Sequence, residues 1–284
     1  MKLSSEHQAI YGKLIEDFVQ RQWWWSEQDI PDSMEGRQRL PESPCFLTQL
    51  TRKPRLVVDC RAVNAALGRA SSLKIKVTAQ LLSIRAEGSS CLLTADVQQA
   101  FYRCRVTNYL IPLLTAVGLY FSSRVIFGLN GGAGILQIGL GEIVDKAVRS
   151  FANVKWVQKA FSSHLYMDDW TAHGSDVLTI LHLFALTIYC MLLFGFASQL
   201  AKVGALIQPK DRALFDSVCA NLQMNIPVLE EVSLLGVGVR LADDEIEIDC
   251  RRLAKRSQIQ IFLGDSHPTK KKAFSVAGVM VGCI

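Results

Sequence analysis

Apolar residues recur every three or four positions at Ile10, Leu14, Ile15 and Phe18, which predicts a helix over Ile10–Val19. Trp23-Trp24-Trp25 follows and is expected to be a buried helix end rather than an exposed stacking platform. Pro31, Pro41 and Pro44 then punctuate a loop. The short β-branched run Leu56-Val57-Val58, between Arg55 and Asp59, predicts a strand, and Leu92–Val97 predicts another with Asp96 at its end. Val117–Phe127 alternates loosely, as a hairpin would. A glycine-rich loop over Gly128–Gly134 leads into a helix whose apolar face is Leu136, Leu140, Ile143, Val144, Ala147 and Phe151.

Further along, Ser162–Tyr166 and Thr171–His173 flank Met167-Asp168-Asp169-Trp170, a hairpin with acidic residues at its tip. Asp176 is a suitable N-cap for the apolar stretch Val177–Ala197, expected to be a helix buried all round behind a sheet, with Cys190 protected from alkylation. Val232–Leu241 and Glu245–Asp249 flank a second hairpin turn at Ala242-Asp243-Asp244, and Arg251–Phe262 and Lys270–Gly282 read as two helices. The fold class expected is α+β, without internal repeats.

Composition narrows the function classes. The chain has 284 residues, half of them hydrophobic and 20% charged, which excludes a disordered tail and supplies material for a core. The net charge of +5 is unevenly spread: residues 1–44 carry −3 and residues 251–284 carry +6, so contact with a polyanion is expected to be strongest at the C-terminal end. The eight cysteines form no Cys-x-x-Cys pair and none lies within four residues of another, which argues against zinc and for reduced core thiols of an intracellular protein. No signal peptide opens the sequence, so cytoplasm or nucleus is the compartment expected. Val177–Ala197 has no Asp, Glu, Lys or Arg and by length alone could cross a bilayer; a buried helix is the preferred reading, with no membrane partner. His164, His173 and His182 recur nine residues apart, which places them on no single helix face, and no metal site is read there.

Three aspartates carry the candidate chemistry. Asp168 and Asp169 are adjacent at a hairpin tip and Asp96 ends an apolar strand. Like charges side by side cost energy unless a cation compensates them, and carboxylate oxygens are the donors Mg²⁺ prefers. An Asp-Asp pair alone is more often a turn, as at Asp243-Asp244.

The surrounding sequence changes that balance. Tyr166-Met167-Asp168-Asp169 resembles the signature hairpin of reverse transcriptases of retroviruses and long-terminal-repeat retrotransposons. Leu93 to Phe101 resembles their first catalytic block, Lys53 to Asn64 their fingers block, Phe127-Gly128-Leu129 through Gln137 the loop and helix beneath the templating base, and Leu235-Gly236-Val237 the hairpin that grips the primer. These blocks occur in the family's order and cover about residues 45–280. Ala133 and Gly131 stand where the family usually has Pro and Asn, and Trp170 where an aliphatic residue is common.

The resemblance implies a right-hand polymerase fold: residues 1–44 leading into the fingers, 45–250 forming fingers and palm, and 251–284 a basic helical start of a truncated thumb. It implies an RNA-directed DNA polymerase extending a primer with deoxynucleoside triphosphates by two-metal phosphoryl transfer. Asp96, Asp168, Asp169 and the carbonyl of Val97 would hold two Mg²⁺, with Mn²⁺ as an alternative. Lys53 and Arg55 would clamp the triphosphate, and Phe101 would lie under the sugar. Gln137 belongs to the substrate-binding set. Met167 would sit near the primer end, with Leu235 and Gly236 gripping the primer. The partners implied are an RNA or DNA template with its primer, and a ribonuclease H or other polyprotein domain supplied from elsewhere. Two alternatives stay open: a decayed relative that binds nucleic acid without catalysis, and a multi-pass membrane protein.

Overall fold

The computed structural model describes residues 4–48, 54–68, 89–150, 161–234, 237–242 and 245–249. The chain divides into two units, Met1–Lys74 with Gln99–Glu142, and Ile75–Gln98 with Ile143–Ile284.

The first unit opens with α1 (Ser5–Gln20), capped by the Ser4 hydroxyl, which accepts the His7 amide. Its buried face is Tyr11, Ile15 and Phe18. The Phe18 ring stacks on Trp24 at 4.8 Å, and the Tyr11 hydroxyl donates to the Cys45 carbonyl while accepting from the Ala116 amide. The three tryptophans are buried as expected, but Trp24-Trp25 forms a strand, β1, rather than a helix end. Large aromatic rings suit a pleated surface, and β1 pairs with Ser122 and Phe121.

That sheet runs in the order β1, β7 (Gly118–Ser122), β6 (Tyr109–Thr115), β3 (Ser43–Thr48), β4 (Arg55–Val58), with β2 (Gln38–Arg39) also paired to β6. Pro44 therefore lies in a strand, not a loop: β3 runs parallel to β6 over Ser43 and Pro44, then antiparallel to β4 from Cys45. The β6–β7 turn falls at Ala116-Val117, at the start of the expected hairpin. Two short helices, α2 (Arg61–Leu67) and α3 (Ala100–Arg103), follow β4 and β5 (Cys91–Asp96) respectively. Helix α4 (Gly132–Arg149) begins inside the expected glycine loop and buries Leu136, Leu140, Ile143, Val144 and Ala147, as the periodicity predicts; Phe151 lies outside the described residues.

The second unit is built on a four-stranded antiparallel sheet, β10 (Gly204–Ile207), β5, β9 (Asp169–Gly174), β8 (Ser162–Tyr166). Its two faces follow from strand alternation. Leu93, Ala95, Trp170 and Ala172 share one face, and Trp170, fully buried, stacks on Phe184 of α5 (Val177–Leu193) at 4.7 Å. Asp96, Thr94, Asp169, Thr171 and His173 share the other. Asp176 occupies the N-cap position, but its carboxylate accepts the Thr179 hydroxyl rather than a backbone amide.

Helix α5 is not buried all round. Its C-terminal turn exposes Tyr189, Leu192 and Leu193, and Cys190 is half-exposed, so the expected protection of that thiol is not what the fold provides. Absence of charge read as burial, whereas one face alone is covered: Leu178 and His182 are exposed near the N-terminus too, and Met191 is buried near the C-terminus. Helix α6 (Arg212–Asn221) buries Phe215, Val218 and Cys219. Beyond it, β11 (Val232–Leu234), β12 (Val237–Ala242) and β13 (Glu245–Asp249) form a three-stranded sheet, so the single long strand expected over Val232–Leu241 is two. Val232 and Val239 pack on Leu92 and Leu206. The helices expected at 251–262 and 270–282 lie outside the described residues.

Among the described residues no helix is long and apolar enough to cross a membrane. The six described cysteines are free, and burial pushes the Cys45 thiol up to about 12 and Cys60 to about 11, so neither is a thiolate at neutral pH.

Candidate active site

Strand pairing assembles the acidic site. In the β8–β9 hairpin, Tyr166 pairs with Asp169, leaving Met167-Asp168 as a two-residue turn. Met167 takes φ +54°, a region that costs a non-glycine residue energy and that tight hairpin turns need at this position. In the neighbouring pair, Asp96 at the end of β5 lies directly opposite Asp169 at the start of β9. The Val97 amide then donates to the Asp168 carbonyl at 2.9 Å, tying the strand end to the turn. Strand pairing thus brings Asp96, Val97, Met167, Asp168 and Asp169 to one end of the four-stranded sheet.

Its electrostatics are strained. Asp96 is 8% exposed, Asp168 half-buried and Asp169 exposed. Burial first, and the neighbouring carboxylates after it, raise both Asp168 and Asp169 above the usual carboxylate range, opposed by the backbone amide of Asp168 at its own carboxylate and by Lys202 at both. Lys202 is the residue that sequence reasoning missed. Its ammonium donates to Asp96 Oδ1 at 2.7 Å across 106 positions of sequence. Backbone bonds bring it there: the Gln98 amide donates to Ala197, the Gln199 amide to Asp96, and Val97 bridges Ser198. No local pattern marks Lys202 for this role.

The donor set fits a hard divalent cation in kind, being carboxylate oxygens with surplus negative charge. In arrangement it is held open: among the described residues no three acidic, imidazole or thiol groups are gathered around a common point, and Asp96 is engaged by Lys202. A cation at Asp96 Oδ1 would compete with the Lys202 ammonium for that oxygen.

The remaining described candidates belong to the first unit. Arg55 is exposed at the start of β4, Gln137 is half-buried on α4, and Phe101 lies on α3 with its ring edge-on to the exposed ring of Phe127 at 5.4 Å. Lys53, Leu235 and Gly236 lie outside the described residues. On the carboxylate face of the four-stranded sheet, His164 Nε2 meets His173 Nε2 at 3.0 Å, and His173 Nδ1 meets the Ser89 hydroxyl at 2.8 Å. The nine-residue spacing across a two-residue turn makes these imidazoles diagonal cross-strand neighbours, a relation a helix reading does not show. His182 stands apart, on α5 with its ring against the Leu178 carbonyl.

No family model and no curated protein sequence matches this chain. Solved structures do resemble it. A foamy viral protease-reverse transcriptase in complex with dsDNA shares 13% identity at a TM-score of 0.60, over 99% of this chain and 48% of that one. The same kind of protein with an RNA/DNA hybrid shares 13% at 0.59, over 98% of this chain and 31% of that one. A form described as dRH, with dsDNA, shares 14% at 0.59, over 94% and 38%. The fold is therefore a mixed helix-and-sheet structure similar to a reverse transcriptase polymerase domain, and the chain spans less than half the length of these neighbours.

Proposed function

We propose that this chain is the polymerase portion of a retroelement reverse transcriptase, with fingers in the first unit and palm in the second. It would extend a primer on an RNA or DNA template from deoxynucleoside triphosphates. The observation that carries the reading is the pairing of Asp96 with the Asp168-Asp169 hairpin at one end of the four-stranded sheet.

Asp96, Asp168 and Asp169, with the Val97 carbonyl, would hold two Mg²⁺ or Mn²⁺ ions, which supply charge neutralisation and polarise the attacking and leaving oxygens of a phosphoryl transfer. The chain's own groups do the positioning. The Val97–Asp168 bond fixes the hairpin against the strand end. Arg55, with its planar fork, and Lys53 would bind the triphosphate. Phe101 would lie against the sugar and Gln137 would help form the nucleotide site, while Met167, Leu235 and Gly236 would meet the primer.

The Lys202–Asp96 ion pair favours a second reading, a relative that binds nucleic acid without catalysis. Primer extension on an RNA template with Mg²⁺ decides between them. The polymerase reading expects metal-dependent extension that falls by about three orders of magnitude or more in Asp168→Asn, with duplex binding retained. Binding without extension in the wild-type chain would overturn it in favour of the second reading.

A further inference from the structure

The first unit contains a charged cluster of its own, positive and well away in sequence from the basic C-terminal segment. Trp23, 5% exposed, is covered by two guanidinium groups, Arg21 at 5.3 Å and Arg103 at 5.7 Å from its ring centre, and stacks on Tyr102 at 5.4 Å. Arg124 extends the cluster: its Nη1 donates to the Arg103 carbonyl at 3.4 Å, and its backbone bridges that of Arg105. Arg37 joins next door, with Nη1 on the Val106 carbonyl at 3.1 Å.

Counter-charge is scarce. Asp17 pairs with Arg21, whereas among the described residues Arg37, Arg105 and Arg124 make no ion pair. The Nε of Arg124 is buried with no hydrogen-bond partner. Burial foremost, and then the neighbouring arginines, lower the affinity of Arg103 and Arg124 for their protons. Arg103 and Arg105 both act against the Arg124 charge, Arg37 reaches the carbonyl next to Arg105, and a buried donor is left over on Arg124, an arrangement that an anion completes.

We propose that Arg37, Arg103, Arg105 and Arg124 form a phosphate-binding surface for a nucleic-acid strand, built from residues of the first unit. It rests on the nucleic-acid reading above and adds a contact that reading does not assign. Guanidinium forks pair bidentately with phosphate oxygens, and several at once suit a backbone carrying one phosphate per nucleotide rather than a single small anion. An acidic protein segment is the rival occupant.

The test is anisotropy of the full chain with a fluorescent single-stranded oligonucleotide and with a labelled primer–template, across a salt series. Arg105→Gln, at an exposed position, and the double variant Arg37→Gln/Arg105→Gln should each lower affinity several-fold. Each lost phosphate contact should flatten the log–log salt slope by roughly 0.7 to 0.9. Arg212→Gln, which removes an arginine already paired with Asp216 on α6, should leave both unchanged. Wild-type slope and affinity in the Arg37 and Arg105 variants, while the parent binds, would overturn this surface and leave the polymerase reading standing. Displacement of the oligonucleotide by polyglutamate at equal charge concentration would also overturn it, in favour of an acidic protein. A parent chain that binds neither probe would overturn both.

Discussion

The acidic cluster at Asp96, Asp168 and Asp169 and the basic cluster around Arg103 and Arg124 pose one physical problem with opposite signs. Each concentrates like charge: burial and neighbouring carboxylates act on Asp168 and Asp169, and burial and neighbouring arginines act on Arg124. They differ in how the counter-ion is supplied. Asp96, nearly buried, has the Lys202 ammonium at 2.7 Å. Arg124, with a buried and unpartnered Nε, has two more arginines as its neighbours. Internal pairing engages one oxygen of the acidic site, whereas the basic cluster holds a buried donor without a partner. Removing a cation should therefore have opposite effects in the two places.

The larger effect is expected at Lys202. Breaking a fully buried ion pair costs about 3–5 kcal/mol, because the remaining charge is left unpaired. The Lys202 side chain is 54% exposed, so water screens much of this and Lys202→Met should lower unfolding stability by about 1–2 kcal/mol without divalent ions. Added Mg²⁺ should stabilise this variant more than wild type, since no ammonium competes for Asp96. Equal stability of variant and parent in chemical denaturation would show that the ion pair does not hold the site together.

Arg124→Met should shift stability the other way, upward by up to about 1 kcal/mol. The substitution removes a partly desolvated charge, its repulsion from Arg105 and Arg103 and a buried donor without a partner; among the described residues the side-chain bond lost is a long one, 3.4 Å to the Arg103 carbonyl. Replacing an uncompensated ion by an apolar chain of similar length is favourable on each of these counts. A destabilised variant would mean that an unseen counter-charge already neutralises Arg124, and the contrast between the two clusters would collapse.

The two clusters also differ in legibility. The acidic site is marked by local signals: Asp168 and Asp169 are adjacent, a two-residue turn fixes their hairpin, and a short apolar strand ending in an aspartate supplies the third group. Lys202 could not be foreseen, because it reaches Asp96 through backbone bonds between segments 106 positions apart. The arginines come from stretches around residues 21, 37, 103–105 and 124, each ordinary alone, while the sequence drew attention to the charge surplus after residue 250. The errors in secondary structure share that cause. Pro44 and the tryptophan run were assigned from local propensity, and tertiary pairing with β6 and β7 placed both in strands.

Acid titration separates the clusters further, with a smaller effect. Burial and neighbouring carboxylates hold Asp168 and Asp169 above the usual range. Their raised folded values mean that the native state keeps protons the unfolded chain has released, so their contribution to stability is full below about pH 4 and is lost as pH rises through the folded values. Metal-free protein should consequently lose part of its stability on going from pH 4 toward neutrality. Asp169→Asn should flatten that decline, matching wild type near pH 4 and exceeding it at pH 7. The Arg124→Met gain should be constant over the same range, since no guanidinium titrates there. Parallel pH profiles for Asp169→Asn and wild type would remove the carboxylate strain from the account.

Salt gives the finest distinction, and it lies within the basic cluster. Arg105 is exposed and half-buried Arg124 is its neighbour across a backbone bridge. Repulsion between them acts partly through solvent, so Arg105→Gln should raise stability by only about 0.2–0.5 kcal/mol at low ionic strength. At 1 M salt the screening length falls to about 3 Å, and that gain should vanish. The gain from Arg124→Met should persist, because desolvation of a buried donor is not a Coulombic term that ions screen. Comparing the two variants in low and high salt thus splits the strain in the cluster into a screened part and an unscreened part. If both gains disappear together, the burden on Arg124 is repulsion alone, and its buried Nε costs the fold nothing measurable.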